Sequence, residues 1–235
     1  MIEPFDNYES IKKVFEKHQL SQDMYKSNVS MNDKKNTLMY YPDKIDNLFW
    51  CVFIHKYSLD EYLQIGCKYK NRELEEKSSI VEYMKQKNNP SIKLMKIAKT
   101  DIQTMIGDLM TNEKTTLFSL QSLSLYFQLH IYLVCQSNRT YIEYNNLATD
   151  VCIIYKKSSL SNEKNTKYWV DLQVSSIMVE VIKEQFVKYD TYDRILKNVS
   201  SYKKKELDII VTKLGLVHNL IKPSKNEIFS LIATI

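Results

Sequence analysis

Seven consecutive apolar residues, Leu48 through Ile54, sit between Asp46-Asn47 and His55-Lys56. Wound into a helix, such a run is apolar on every face, and a helix of that kind is stable only when other elements cover it all round. The stretch from Asp46 to Tyr57 therefore predicts a central buried helix, with Asp46 as its N-cap because a carboxylate there accepts the first free backbone N–H groups. A chain of 235 residues, 44% of them hydrophobic, has enough material to build the surrounding layers.

The flanking sequence supplies further elements. Ser58 and Glu61 have the spacing of a capping box and Gly66 is placed to end a short helix. Arg72 to Gln86 reads as a charged surface helix with Glu73 and Lys77 at i,i+4, and the paired Glu75-Glu76 on its solvent face are poor acid/base candidates. Asn89-Pro90 opens a helix expected to run through Met110, with Leu94, Ala98, Ile102, Met105 and Leu109 as its buried stripe. Thr116 to Gln128 completes the helical half. The period then changes to apolar, β-rich runs at His130–Cys135, Tyr141–Tyr144, Val151–Tyr155 and Tyr168–Leu172, broken by a Ser137-Asn138 turn and a polar loop from Lys156 to Thr166. Helices followed by a short antiparallel meander define an α+β body. Val174 to Tyr189 returns to helix, with Ile177, Val181 and Phe186 apolar.

Thr115 to Asn138 carries no Asp, Glu, Lys or Arg over 24 residues, but its serines, glutamines and His130 mark a buried helix and strand rather than a membrane span. At the N-terminus, Asn7 to Leu20 is amphipathic and Ser21 to Asn36 is a polar arm. The expected division is thus residues 1–36 as helix and arm, 37–192 as body, and 193–235 as a small helical module. The four cysteines form no C-x-x-C pair, so no metal site and no cofactor are expected, and their apolar surroundings fit a reduced intracellular compartment. Met1 to Glu9 lacks the apolar core of a secretory signal, so the chain is expected not to be secreted. Three scattered glycines exclude a phosphate-cradling loop.

Charge is unevenly distributed. From Arg194 to Ile235 eight basic residues face three acids, a surplus of five that equals the net charge of the whole chain. Lys204 to Leu214 suits a helix burying Leu207, Ile210, Val211 and Leu214 and stopped at Gly215, and Ser224 with Glu227 opens a second helix with Ile228, Leu231 and Ile232 inward. A localised cationic surplus on two short helices points to a polyanionic partner.

Tyr202, Glu206-Leu207, Leu214-Gly215-Leu216, Lys225 and Ile228 resemble the SAP family of helix-extended-helix modules, though Val217 to Ile221 stand where that family has a short polar turn with glycine. The resemblance covers about 35 residues. It implies DNA or nucleoprotein as partner, with Lys203, Lys204, Lys205 and Lys225 on phosphates and no base reading.

The run Asp46-Asn47-Leu48-Phe49-Trp50-Cys51, followed by helices and strands, resembles the central helix of papain-like folds, particularly ovarian-tumour-type deubiquitinases. Aligned on Leu48-Phe49, the nucleophile position falls on Asn47, and Lys167-Tyr168-Trp169 stand where the base histidine belongs. The resemblance therefore implies an architecture without the catalytic pair. The rival reading is an active thiol hydrolase using Cys51, with His55 at i,i+4 or His130 from the sheet as base. Composition together with this run resembles uncharacterised proteins of large nucleocytoplasmic DNA viruses, which implies a location in the host cytoplasm, in virus factories, or in the virion. Other viral proteins are then possible partners, membranes are not, and a purely structural virion protein is a third reading.

Overall fold

A computed structural model of the chain describes residues 39–157, 166–192, 194–216 and 223–234. The expected helix Asn7–Leu20, the polar arm, and the Val217–Ile221 link lie outside these residues.

The apolar run forms α1 (Asn47–Tyr57), with every residue from Asn47 to Ile54 buried and Asp46 capping it. It is covered by α2 (Leu59–Ile65), α3 (Tyr69–Lys85), α4 (Pro90–Leu94), α5 (Lys99–Thr111), α6 (Leu120–Tyr126) and one face of a six-stranded sheet. Trp50, wholly buried, meets Phe49, Phe53 and Tyr62 edge-on at 5.1, 4.9 and 5.4 Å between ring centres.

The strands are β1 (Met39–Tyr40), β2 (Leu129–Cys135), β3 (Thr140–Tyr144), β4 (Asp150–Lys157), β5 (Lys167–Asp171) and β6 (Val187–Lys188), in the order β1-β5-β4-β2-β3-β6. The α+β class holds, but the sheet is not a plain meander. After the β2–β3 hairpin the chain crosses back and lays β4 parallel to β2 on its other side. β2 requires this place. Its Leu129, Ile131 and Leu133 face the helical core while Tyr132 and Val134 face α7 (Ser176–Gln185), so it needs cover on both faces and neighbours at both edges.

Two helix expectations are corrected. The helix expected from Asn89 through Met110 is two, because Lys96 adopts φ 53°. The Lys96 N–H donates to Lys93 O at 3.1 Å and the Ile97 N–H to Ile92 O at 3.3 Å, a Schellman stop that ends α4 and turns Leu94 outward, 67% exposed. The helix expected over Val174–Tyr189 ends at Gln185, since Val187 and Lys188 pair with Thr140 and Tyr141 of β3.

The C-terminal helices α8 (Lys204–Leu214) and α9 (Lys225–Ala233) form as expected, with Gly215 left-handed at φ 68°. Their small core holds Leu207, Val211, Leu214, Ile228 and Ile232, and it takes in Ile195, Leu196 and Val187. Val187 lies on the body side of the expected 192/193 boundary, so the module is built onto the sheet edge through β6. The Arg139 guanidinium, from the β2–β3 turn, packs against Gly215 at the end of α8.

Candidate functional site

The N-terminus of α1 is held by buried ions. Asp46 accepts the Phe49 N–H at 3.2 Å through Oδ1, while its Oδ2 accepts the Thr115 N–H at 2.9 Å and the Thr115 hydroxyl at 2.7 Å. The Lys77 ammonium lies 2.7 Å from Asp46 Oδ2 and 2.8 Å from Glu73 Oε1, and Glu73 Oε2 accepts the Trp50 indole N–H at 3.0 Å. Burial alone lowers the Lys77 pKa, but the Asp46 and Glu73 carboxylates outweigh it and hold the amine protonated. Burial raises the Glu73 pKa despite Lys77. The Glu73–Lys77 pair expected on a surface helix is therefore internal, with Lys77 5% exposed, and of the Glu75-Glu76 pair expected on its solvent face Glu76 is 6% exposed while Glu75 remains outside. Asp46 and Thr115 are 69 residues apart, and no local pattern announces their contact.

Asn47 is fixed on both sides of its amide. Its Nδ2 donates to Pro42 O at 2.6 Å and its Oδ1 accepts the Tyr168 backbone N–H. The fold thus brings Asn47, where the papain-like resemblance would require a thiol, against Tyr168, one of the three residues Lys167-Tyr168-Trp169 that stand where it would require an imidazole. Neither side chain is a nucleophile or base of that kind.

Cys51 sits one turn further along α1 with no solvent exposure. Burial, then the neighbouring Cys152 thiol and the Asp46 carboxylate, push its pKa well above the ordinary thiol range. The structure gives neither histidine to it. The His55 imidazole bonds Asp150 Oδ1 at 3.2 Å, and His130 Nε2 bonds Glu143 Oε1 at 2.7 Å. The Cys51–His55–His130 arrangement is therefore corrected to a buried thiol and two separate histidine–carboxylate pairs. A thiol that is held neutral and apart from a base lacks both requirements of a nucleophile.

Glu143 gathers a second cluster. Besides His130 its Oε1 accepts the Tyr132 hydroxyl at 3.2 Å, and Lys188 pairs with Oε2. The His130 hydrogen bond first, and then Lys188, lower the Glu143 pKa to about 2 against the opposing effect of burial.

The cationic module divides its charges. Arg194 pairs with Asp190 at 2.8 Å, and Lys213 donates to Lys183 O at 3.2 Å, so these two tie the module to the body. Lys203, Lys204 and Lys205 are exposed at the start of α8 and Lys225 half-buried at the start of α9. Among the described residues none of the four makes an ion pair. Two of the module's acids are engaged elsewhere: Glu206 Oε2 accepts the Lys203 N–H at 2.7 Å and Glu227 Oε2 accepts the Ser224 N–H at 2.6 Å. These helix caps aim both carboxylates at backbone N–H groups. Glu227 has its pKa lowered mainly by Ser224, with a contribution from Lys204, which places the starts of the two helices at one end of the module.

A second basic surface lies in the body, whose overall neutrality hides it. From Lys85 to Lys99, fifteen residues, there are five lysines and no acid, and Lys85, Lys87, Lys93, Lys96 and Lys99 are all exposed. The signal was the local absence of acids, which a whole-body charge total averages away.

Among the described residues no group of three or more His, Cys, Asp or Glu side chains is placed to hold a metal, and no helix is long and apolar enough to cross a membrane. Fold and surfaces define an α+β protein carrying a cationic helix pair. No protein-family model, curated protein or solved structure matches the chain.

Proposed function

We propose that this chain is a non-enzymatic viral docking protein, in which an α+β body of degenerate papain-like type carries a SAP-like helix pair onto DNA or a nucleoprotein or virion component. The observation that carries this reading is the set of exposed lysines at Lys203–Lys205, joined by Lys225, none of which makes an ion pair among the described residues. Amines presented together at helix starts, where backbone N–H groups also face outward, suit phosphate oxygens. Such contacts read no bases, so binding is tolerant of sequence and sensitive to salt. Thiol hydrolysis is disfavoured by the neutral, buried state of Cys51 and by the pairing of both histidines with carboxylates.

The test is a gel-shift salt series on duplex DNA with full-length protein and two charge-deleted variants. Replacing Lys203, Lys204 and Lys205 by alanine should reduce the slope of log affinity against log salt by roughly 2–3, since each phosphate contact contributes about 0.9. Replacing Lys87, Lys93, Lys96 and Lys99 serves as the control surface. Equal losses in the two variants, or no loss in the first, would overturn the assignment to the helix pair.

A further inference from the structure

We propose that the cleft beside the free edge of β3 binds an extended peptide of a partner protein by strand addition. This site is separate from the cationic helix pair and does not depend on it.

The cleft arises where pairing between β3 and β6 stops. The Tyr189 N–H donates to Tyr141 O at 2.8 Å, and then the chain peels away: the Asp190 and Thr191 N–H groups turn to Arg194 O at 3.0 and 3.1 Å. In a strand, alternate residues direct their backbone groups to opposite neighbours. Tyr141 faces β6, so Glu143, two residues on, presents its N–H and C=O in the same direction, past the end of β6. Among the described residues no backbone hydrogen bond takes them up. The gap is a cavity of about 540 Å³, within the usual range for a ligand site, with walls from Leu117, Phe118, Gln121, Ile142, Tyr144 and Tyr192.

Two side-chain features define the occupant. Gln121 lines this wall and its Nε2 is buried with no hydrogen-bond partner, a donor that a carbonyl entering the cleft would satisfy once the amide turns outward. The Phe118 and Tyr192 rings lie 4.9 Å apart and Ile142 is beside them, an apolar seat for one side chain. A polypeptide backbone supplies what both Glu143 and Gln121 lack, an N–H and carbonyl pair at strand spacing and a further carbonyl, while its side chain fills the apolar seat. Charge argues the same way. The acids in the lining are already neutralised, Glu143 by His130 and Lys188 and Asp190 by Arg194, so this cleft suits an uncharged segment and offers a phosphate chain no free cation.

The probe is a displayed library of random heptapeptides selected on the full-length protein, with the enriched sequences made singly and titrated into isotope-labelled protein. Supporting results are saturable shifts of the Glu143 backbone amide and the Gln121 side-chain amide, and roughly tenfold weaker binding to Gln121→Leu, the loss of one hydrogen bond. Gln121→Leu fills the same space without the donor, and its melting curve checks that the fold persists. The proposal is overturned if no selected peptide binds more tightly than about 1 mM, if the shifts map to β1 or α8, or if affinity is unchanged in Gln121→Leu. It is also overturned if the free protein gives nuclear Overhauser contacts between the Glu143 amide and residues 1–36, which would make the occupant this chain's own arm.

Discussion

Lys77 is the single residue on which the ionic base of α1 turns, and Lys77→Met is the sharpest test of that role. Methionine keeps the length and apolar stem of the side chain and removes the charge, leaving Asp46, 1% exposed, and the largely buried Glu73 without a cation. Removing one partner of a buried pair costs about 3–5 kcal/mol, because the remaining charge stays desolvated. Asp46 retains three donors, the Phe49 N–H, the Thr115 N–H and the Thr115 hydroxyl, and Glu73 retains the Trp50 indole, which puts the expected loss near the lower figure, about 3 kcal/mol. The pH dependence fixes the cause. Glu73 already has its folded pKa raised above the ordinary 4.5, and losing Lys77 raises it further. A group whose folded pKa exceeds its unfolded value stabilises below that range and loses the contribution as pH rises through the folded value, so the deficit of the variant should shrink between pH 7 and pH 5. Urea unfolding of both proteins at the two pH values measures this. A deficit under about 1 kcal/mol, or one equal at pH 5 and pH 7, would show that Lys77 is not balancing buried carboxylates.

Glu143 gives the opposite sign. Its folded pKa is lowered from 4.5 to about 2, so its contribution is present above the unfolded value and lost as pH falls through the folded one. The melting temperature of the wild type should therefore drop across that acid window, whereas Glu143→Gln should be less stable at neutral pH and flatter in acid. Gly215→Ala should cost about 1–2 kcal/mol in a thermal melt, since φ is 68° there and the added Cβ would sit 3.2 Å from the Arg139 guanidinium. In a timed alkylation read by mass spectrometry, exposed Cys67 should be labelled first, and Cys51 and Cys152 only once the protein unfolds. Early labelling of Cys51 would remove the main argument against thiol chemistry.

Much of the helical half was legible because its signals are local. Asp46, Ser58, Asn89 and Ser224 cap their helices as their positions suggest, each accepting backbone N–H groups two or three residues ahead. Gly66 and Gly215 stop helices for the same local reason. The errors have two sources, a local stop with no glycine to announce it and a distant partner that overrides the local pattern. Leu94 belongs to an apolar stripe in sequence, yet the turn at Lys96 puts it in solvent. Val187 continues a helical pattern, yet the edge of β3 draws it into a strand.

The candidate site divides in the same way. Asn47 and Cys51 could be placed on α1 from sequence, but the partners that decide their chemistry, Tyr168, Cys152 and Asp46, are assembled by the sheet and the helix start. The sequence by itself determined that α1 must be buried on all sides and that an unbalanced positive charge belongs to the C-terminal helices, since composition and 3.6-residue periodicity need no knowledge of neighbours. Only the tertiary structure decided which charges are free. A lysine is neutralised or presented according to what lies within a few ångströms of its amine: for Lys77 that is Asp46 and for Lys188 it is Glu143, while among the described residues Lys203 to Lys205 make no ion pair.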